Sequence, residues 1–195
     1  MLKGLSLLFF FVLTNLTYAE SAKTLTPAQR DLLHKVEKHL NSIRTLKAKF
    51  VQITDRETRN GTLKWLRPHY IRLDYTGAPF LQLSCDGDFF TQKDNEGEIS
   101  EYSVSGSPAE LLLKPSFNFE KDGYLKQIAE INDLIMIEVS GKNDPQGPSL
   151  TLIFKQNPIE LSQWKMIDAG GTVTDVILVD PDYQATLSKK EFILK

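Results

Sequence analysis

The stretch 61-GTLKWLRPHYIRLDY-75 decides how this chain reads. Asn60-Gly61 at its head is the dipeptide best suited to a two-residue hairpin turn, because both turn positions need φ > 0, and a turn is expected there. Leu63 and Trp65 then alternate with Thr62 and Lys64, the period-2 pattern of a half-buried strand. Arg67 shares the parity of Leu63 and Trp65, which sets a guanidinium at the end of an apolar face. Two readings of Arg67 stay open. It is a strand-end cation whose stem covers apolar surface while its head reaches water. Or it is a donor fork at the mouth of an apolar cavity, costly unless its donors find acceptors. Pro68 interrupts the ladder, as proline does at an edge or a bulge, and a second strand starts at Tyr70.

Upstream, Thr26-Pro27-Ala28-Gln29 has the form of a helix start, with Thr26 as N-cap, proline at N1 and Gln29 completing a capping box. Leu32, Leu33, Val36, Leu40 and Ile43 follow at helical spacing, opposite Arg30, Lys35, Glu37 and Lys38. The helix is expected to end near Asn41. Residues 48–53 form the expected first strand, with Phe50 and Gln52 on one face.

Downstream, a strand over 80–85 leads to the Asp86-Gly87 turn and Phe89-Phe90. A polar loop is expected at 93–98 and a short strand at 101–104. Ser107-Pro108-Ala109-Glu110 has the form of a second capping box, leading into Leu111-Leu112-Leu113 before Pro115 stops it. So short and apolar a helix is unstable alone in water and must lie on something hydrophobic. From 127 onward hairpins dominate, with strands at 134–139, 150–155, 161–167 and 173–179, turns at 141–148 and 168–171, and a last strand at 191–194. Some of these strands are apolar on both faces, as with Ile153 opposite Leu152 and Phe154. The sum is roughly ten antiparallel strands and two helices. A strongly curved sheet or incomplete barrel, with helices across its concave side, satisfies the pattern.

The chain has 195 residues, 41% hydrophobic and 25% charged, with a formal charge of −2. That suits one globular domain and lacks the basic footprint of a nucleic-acid binder. Lys3, the apolar run 5–13 and Thr17-Tyr18-Ala19 form a signal peptide cleaved after Ala19. The expected organisation is therefore residues 1–19 as signal and 20–195 as a single exported domain. Cys85 is the sole cysteine, which excludes an internal disulfide despite an oxidising destination, and no cysteine stands at the cleavage site to take a lipid anchor.

Catalytic patterns are missing: no GxSxG, HExxH or phosphate-binding glycine loop occurs. His34 and His39 lie five apart on the helix and share no face, so they read as solvated surface residues rather than a metal pair. Asp74, Asp86, Asp88 and Asp94 fall at turns, which collect aspartates for conformational reasons. Cys85 reads as a buried, inert thiol. Trp65 and Trp164 suit a core or the wall of a lipid cavity. Neither an enzyme nor a cofactor is expected.

Taken in order, Phe50-x-Gln52, Gly61 to the Arg67-Pro68 pair, Arg72-Leu73-Asp74-Tyr75, Asp86-Gly87, and Ser107-Pro108 before the leucine run resemble the outer-membrane lipoprotein carrier family, LolA. Asp144-Pro145-Gln146-Gly147, the strand at 150–154, Asn157-Pro158, the segment 161–164 and Asp168-Ala169-Gly170 extend the likeness over nearly the whole expected mature chain. The resemblance implies a mainly β fold with short helices: an incomplete, unclosed antiparallel β-barrel of about eleven strands under an α-helical lid. It implies a monomeric periplasmic carrier that takes acylated lipoproteins from an inner-membrane ABC transporter of the LolCDE type and hands them to an outer-membrane acceptor of the LolB type.

It further implies that Arg67 hydrogen-bonds to the lid and holds it closed. The expected lid residues are Leu32, Val36 and Leu40 of the first helix and Leu111, Leu112 and Leu113 of the second. The expected acyl-chain cavity draws Phe50, Leu63 and Trp65 from the first strands, Ile71, Leu73 and Tyr75 from the next, then Leu83 and Phe90, and Leu152, Phe154 and Trp164 from the C-terminal half. Ile71 stands where better-known members have an aromatic residue important for receiving cargo. Phe89, Phe90 and Thr91 stand near a tryptophan of those members. Three acyl chains in water would expose some forty to fifty methylenes, roughly 30–40 kcal/mol gross, so unaided transit is ruled out. A periplasmic binder of another lipid, such as a fatty acid, phospholipid or isoprenoid, would have much the same sequence.

Overall fold

A computed structural model describes residues 25–194; the expected signal peptide and its cleavage site lie outside them. Eleven strands form one antiparallel sheet. They are β1 (Thr45–Thr54), β2 (Thr58–Leu66), β3 (Tyr70–Tyr75), β4 (Leu81–Cys85), β5 (Phe89–Asp94), β6 (Ile99–Ser103), β7 (Gly123–Ile131), β8 (Leu134–Gly141), β9 (Asp144–Lys155), β10 (Glu160–Ile167) and β11 (Val173–Asp182). Their spatial order is β6-β5-β4-β3-β2-β1-β11-β10-β9-β8-β7. Two meanders are thus joined where β1 pairs with β11, and the sheet has edges at β6 and β7. It is an unclosed barrel, as the resemblance implied. The segment linking the two edge strands carries α2 (Glu110–Leu113) and α3 (Phe119–Asp122), while α1 (Pro27–Ser42) precedes β1.

The inner face is built in rows. Leu46, Trp65 and Ile71 stand opposite one another across β1, β2 and β3, and Ala48, Leu63 and Leu73 form the next row. The third row is Phe50, Gly61 and Tyr75. Here Asn60-Gly61 is not the expected turn: both residues lie inside β2, and the chain turns at Asp55-Arg56 instead. The reason is steric. The Phe50 and Tyr75 rings meet edge to face, centroids 5.2 Å apart, across the row that Gly61 occupies. A Cβ on Gly61 would stand 2.4 Å from the Asp74 carbonyl oxygen and 2.5 Å from the Phe50 ring. Glycine serves close approach here, not a left-handed turn.

Other boundaries differ in instructive ways. The capping box at Thr26 forms, Gln29 N–H donating to Thr26 Oγ1 at 3.2 Å and Thr26 N–H to Gln29 Oε1 at 3.0 Å. At Ser107 it does not. Glu110 Oε2 accepts from the Gly106 N–H, and the N–H groups of Glu110, Leu111 and Leu112 donate to carbonyls three residues back. So tight a turn removes the geometry a capping box needs. β5 runs on through Lys93-Asp94 before the loop, and β9 starts at Asp144 inside the expected 141–148 turn. The expected last strand is a 3-10 helix, Lys189–Phe192. Its Phe192 carbonyl accepts from Ser84 Oγ, and the Glu191 carbonyl accepts from Arg72. The tail is thereby strapped across β3 and β4 by side chains rather than by a strand ladder.

Candidate functional site

The concave face of the sheet is filled by two pieces of helical chain. α1 lays Leu33, Val36 and Leu40 into the barrel, all at 1% exposure or less. Leu33 rather than Leu32 is the innermost of the adjacent pair; Leu32 is half-buried beside it. α2 is a single turn whose Leu111, Leu112 and Leu113 are all buried. Four residues cannot hold a helix in water. Burying three leucines contributes roughly 5–9 kcal/mol gross, which is what keeps the turn in place. Phe117 and Phe119 continue this filling, with ring centroids 4.7 Å apart and near-perpendicular planes.

Under α2 a small cavity of about 80 Å³ remains. Its walls are Ile71, Leu73 and Tyr75 of β3, Leu83 of β4, Phe90 of β5, and Trp164 of β10, with Leu112 and Leu113 above. The lining is almost wholly apolar, and Tyr75 turns its hydroxyl aside to donate to Gln52 Oε1 at 2.7 Å. Burial pushes the Tyr75 phenol up to about 12, so it stays protonated and uncharged. The volume falls short of the roughly 300–1,000 Å³ typical of a small-molecule site. Anything with a long hydrocarbon chain must therefore displace helix to enter. Of the expected cavity residues, Phe50, Leu63, Trp65, Leu152 and Phe154 sit deeper, in the closed core with 1% exposure or less, and take no part in this wall.

Arg67 lies at the rim where β2 meets both helical pieces. One terminal nitrogen donates to the Leu40 carbonyl of α1, and the other donates to the Lys114 carbonyl just after α2, at 2.8 Å. Its guanidinium carbon stands 5.4 Å from the Trp65 ring centroid. The side chain does not reach water as a snorkelling cation would; the residue is 7% exposed. Burial first, and Arg44 second, push its pKa down to about 10. It still carries its charge at pH 7, yet its hydrogen-bond partners are neutral carbonyls rather than a carboxylate.

Three polar side chains join the two helical pieces: Asn41 at the expected helix end, and Glu37 and Arg30 from the face expected opposite the apolar stripe. Asn41 donates to the Phe117 carbonyl at 2.8 Å and accepts from the Phe117 N–H at 2.9 Å. Glu37, 8% exposed, accepts from the Phe119 N–H at 2.9 Å. Arg30 pairs with Glu120 at 3.4 Å. Polar residues opposite an apolar stripe normally face water, so these three gave no local signal of a partner far along the chain. Asn118 did leave one: a cap-forming residue before Phe119 and Glu120, and its side chain accepts from the Lys121 N–H at 2.8 Å to start α3.

His39 is a correction. It is half-buried, its Nε2 has no hydrogen-bond partner, and its ring lies edge-on to Phe154 and Tyr183 at 6.2 and 5.9 Å. Desolvation lowers its pKa, opposed by the nearby Glu160 charge. His34 is on the surface beside Glu37. Cys85 is buried, accepts from the Gly87 N–H at 3.3 Å, and is pushed up to about 11 by desolvation, which keeps the thiol protonated at neutral pH. Among the described residues, no group of three His, Cys, Asp or Glu side chains could hold a metal ion, and no helix is long and apolar enough to cross a membrane.

Residues 41–195 match the family described as outer membrane lipoprotein carrier protein LolA. Comparison with curated proteins finds no match. Among solved structures, an uncharacterized conserved protein from Thermus thermophilus is similar at TM-score 0.50 and 10% identity, covering 85% of this chain and 92% of its own. A DUF1329 family protein from Desulfovibrio piger also reaches 0.50, at 11% identity over 85% of this chain and 96% of its own. A LolA superfamily protein from Nitrosomonas europaea reaches 0.48 at 11% identity, covering 88% and 99%. At such identities the likeness to the two structures at 0.50 is one of fold alone.

Proposed function

The chain belongs to the LolA family of outer membrane lipoprotein carrier proteins, and on that premise we propose that it is a periplasmic carrier for the acyl chains of lipoproteins. In this reading residues 1–19 direct export and 20–195 act as one carrier domain without catalytic activity. Cargo comes from a LolCDE-type transporter and goes to a LolB-type acceptor. The observation that carries the reading is the pairing of an almost wholly apolar cavity with a cover of helix that is itself only apolar filling.

In the empty protein, Leu112 and Leu113 occupy the space over Ile71, Leu83, Phe90 and Trp164. Acyl chains entering that space replace one hydrocarbon surface by another. The exchange is therefore close to balanced, which lets the carrier release cargo without an energy source of its own. Arg67 serves as the latch, because its two donors close on backbone carbonyls of both helical pieces. Lifting either piece breaks at least one charge-assisted bond and returns the guanidinium to water.

The test is release from spheroplasts. Those retaining labelled, outer-membrane-directed lipoprotein are incubated with purified residues 20–195. A soluble one-to-one complex in the supernatant is the expected result. With folded protein and the cognate transporter present, absence of release contradicts the lipoprotein reading. Another lipid recovered from the cavity in that case would identify a binder of a different kind.

A further inference from the structure

We propose that the free edge of β6 is a strand-addition site for the extended polypeptide that follows the acylated end of the cargo; this deepens the carrier reading and rests on it. β6 is one of the two edges of the sheet. Its pairing with β5 shows which backbone groups are free. The Val104 N–H donates to the Asp88 carbonyl, and the Glu98 carbonyl accepts from the Asp94 N–H. Antiparallel strands alternate in hydrogen-bonding direction. Ser100 and Tyr102 therefore turn their backbone groups towards β5, while Ile99, Glu101 and Ser103 turn theirs outwards.

Sheet edges are usually blunted by short length, charged side chains (lysine above all), proline, a bulge or a covering element. The other edge, β7, has a lysine, Lys126, and an irregularity between Leu125 and Gln127. β6, with the sequence ISEYS, is short and carries one charge, Glu101, but has no lysine, no proline and no irregularity in its pairing. Ile99 and Tyr102 are each more than half exposed.

Position supplies the occupant. Phe90 is part of the cavity wall, and its partner across the strand pair is Tyr102, on the same face. A polypeptide whose acyl chains lie against Phe90 passes Tyr102 on its way out and meets the β6 edge next. Main-chain pairing reads no side chains. It would serve cargoes that share only acyl chains and an extended tail.

The probe is a synthetic triacylated peptide whose tail is longer than the five residues of β6, compared with the same lipid group on a tail too short to reach. Trp164 fluorescence reports cavity filling, and hydrogen exchange reports the edge. With the long tail, the amides of Ile99, Glu101 and Ser103 are expected to slow by roughly tenfold, while those of Ser100 and Tyr102 change little. Glu101→Pro removes one outward N–H and no bond to β5; it is expected to abolish that protection while the short-tailed peptide still fills the cavity. Cavity filling by the long-tailed peptide without protection at the alternate residues overturns the edge proposal and leaves the carrier reading standing. Failure of both peptides to fill the cavity overturns the two together. Protection that appears without peptide and grows with protein concentration means a second copy occupies the edge, and overturns the proposal as well.

Discussion

Arg67 stays charged at neutral pH although its immediate hydrogen-bonding surroundings are uncharged. Two charge-assisted hydrogen bonds contribute roughly 1.5–3 kcal/mol each, and desolvation of a buried ion costs several kcal/mol against them. In the proposed carrier the cover would thus be held closed by a small difference, as a cover that opens for cargo and closes after it requires. Arg67→Leu removes both donors and leaves the Leu40 and Lys114 carbonyls without them. It is expected to take up lipoprotein but to pass it to the acceptor at least about tenfold more slowly, because the empty closed state has lost its advantage. Transfer at the normal rate would remove Arg67 from the latch. In the sheet, Gly61 leaves no room for a side chain. Gly61→Ala forces a Cβ against a backbone oxygen and the Phe50 ring, so urea denaturation should show a loss of roughly 1–3 kcal/mol. An unchanged midpoint would mean that β2 and β3 part without strain.

At the scale of elements, α1 and the α2–α3 segment are joined through Asn41, Glu37 and Arg30. The N–H and carbonyl of Phe117 both close on the one Asn41 amide, so the two pieces of lid form one cover. The sequence made α1 and the Leu111–Leu113 turn legible, because helical spacing and a local cap announce them. It did not reveal their joining, since Asn41 and Glu37 have the spacing of a solvated face and their partners lie about eighty residues away. β7 and α3 also escaped, β7 because it opens with glycine and lacks clean alternation. α1 also carries a pH-sensitive residue. An unfolded histidine takes up a proton near pH 6.5, whereas His39 in its half-buried place does so only at lower pH. Below about 6.5 the unfolded state thus binds more protons, and stability falls as pH falls through that window. Thermal melts from pH 7 to 5 should show a smaller decline for His39→Leu than for the unaltered protein. Equal declines would place the acid sensitivity elsewhere.

At the scale of the whole molecule, the two sheet edges are consecutive strands, and the chain between them carries α2 and α3, one of the two pieces of the cover. Cavity and cover consequently lie together on the concave side of an unclosed barrel, beside the β6 edge proposed for the cargo polypeptide. The alternation in 61–75 and the two-faced apolar strands made the curved sheet and its covered concave side readable. The depth of the site was not. Phe50, Leu63, Trp65, Leu152 and Phe154 have the parity of cavity residues, but strand parity names a face and gives no distance from the cover. The convex face has another groove, lined by Met136, Ile153 and Ile167 together with Gln127, Glu138, Thr151 and Lys165, which offers acyl chains an alternative to the cavity under α2. A lipopeptide with a photoreactive group near the end of one acyl chain distinguishes the two. Cross-links to Ile71, Leu73, Leu83, Phe90 or Trp164 beneath the displaced α2, in a one-to-one complex, are expected. Cross-links to Met136, Ile153 or Ile167 with α2 still in place would contradict the carrier reading.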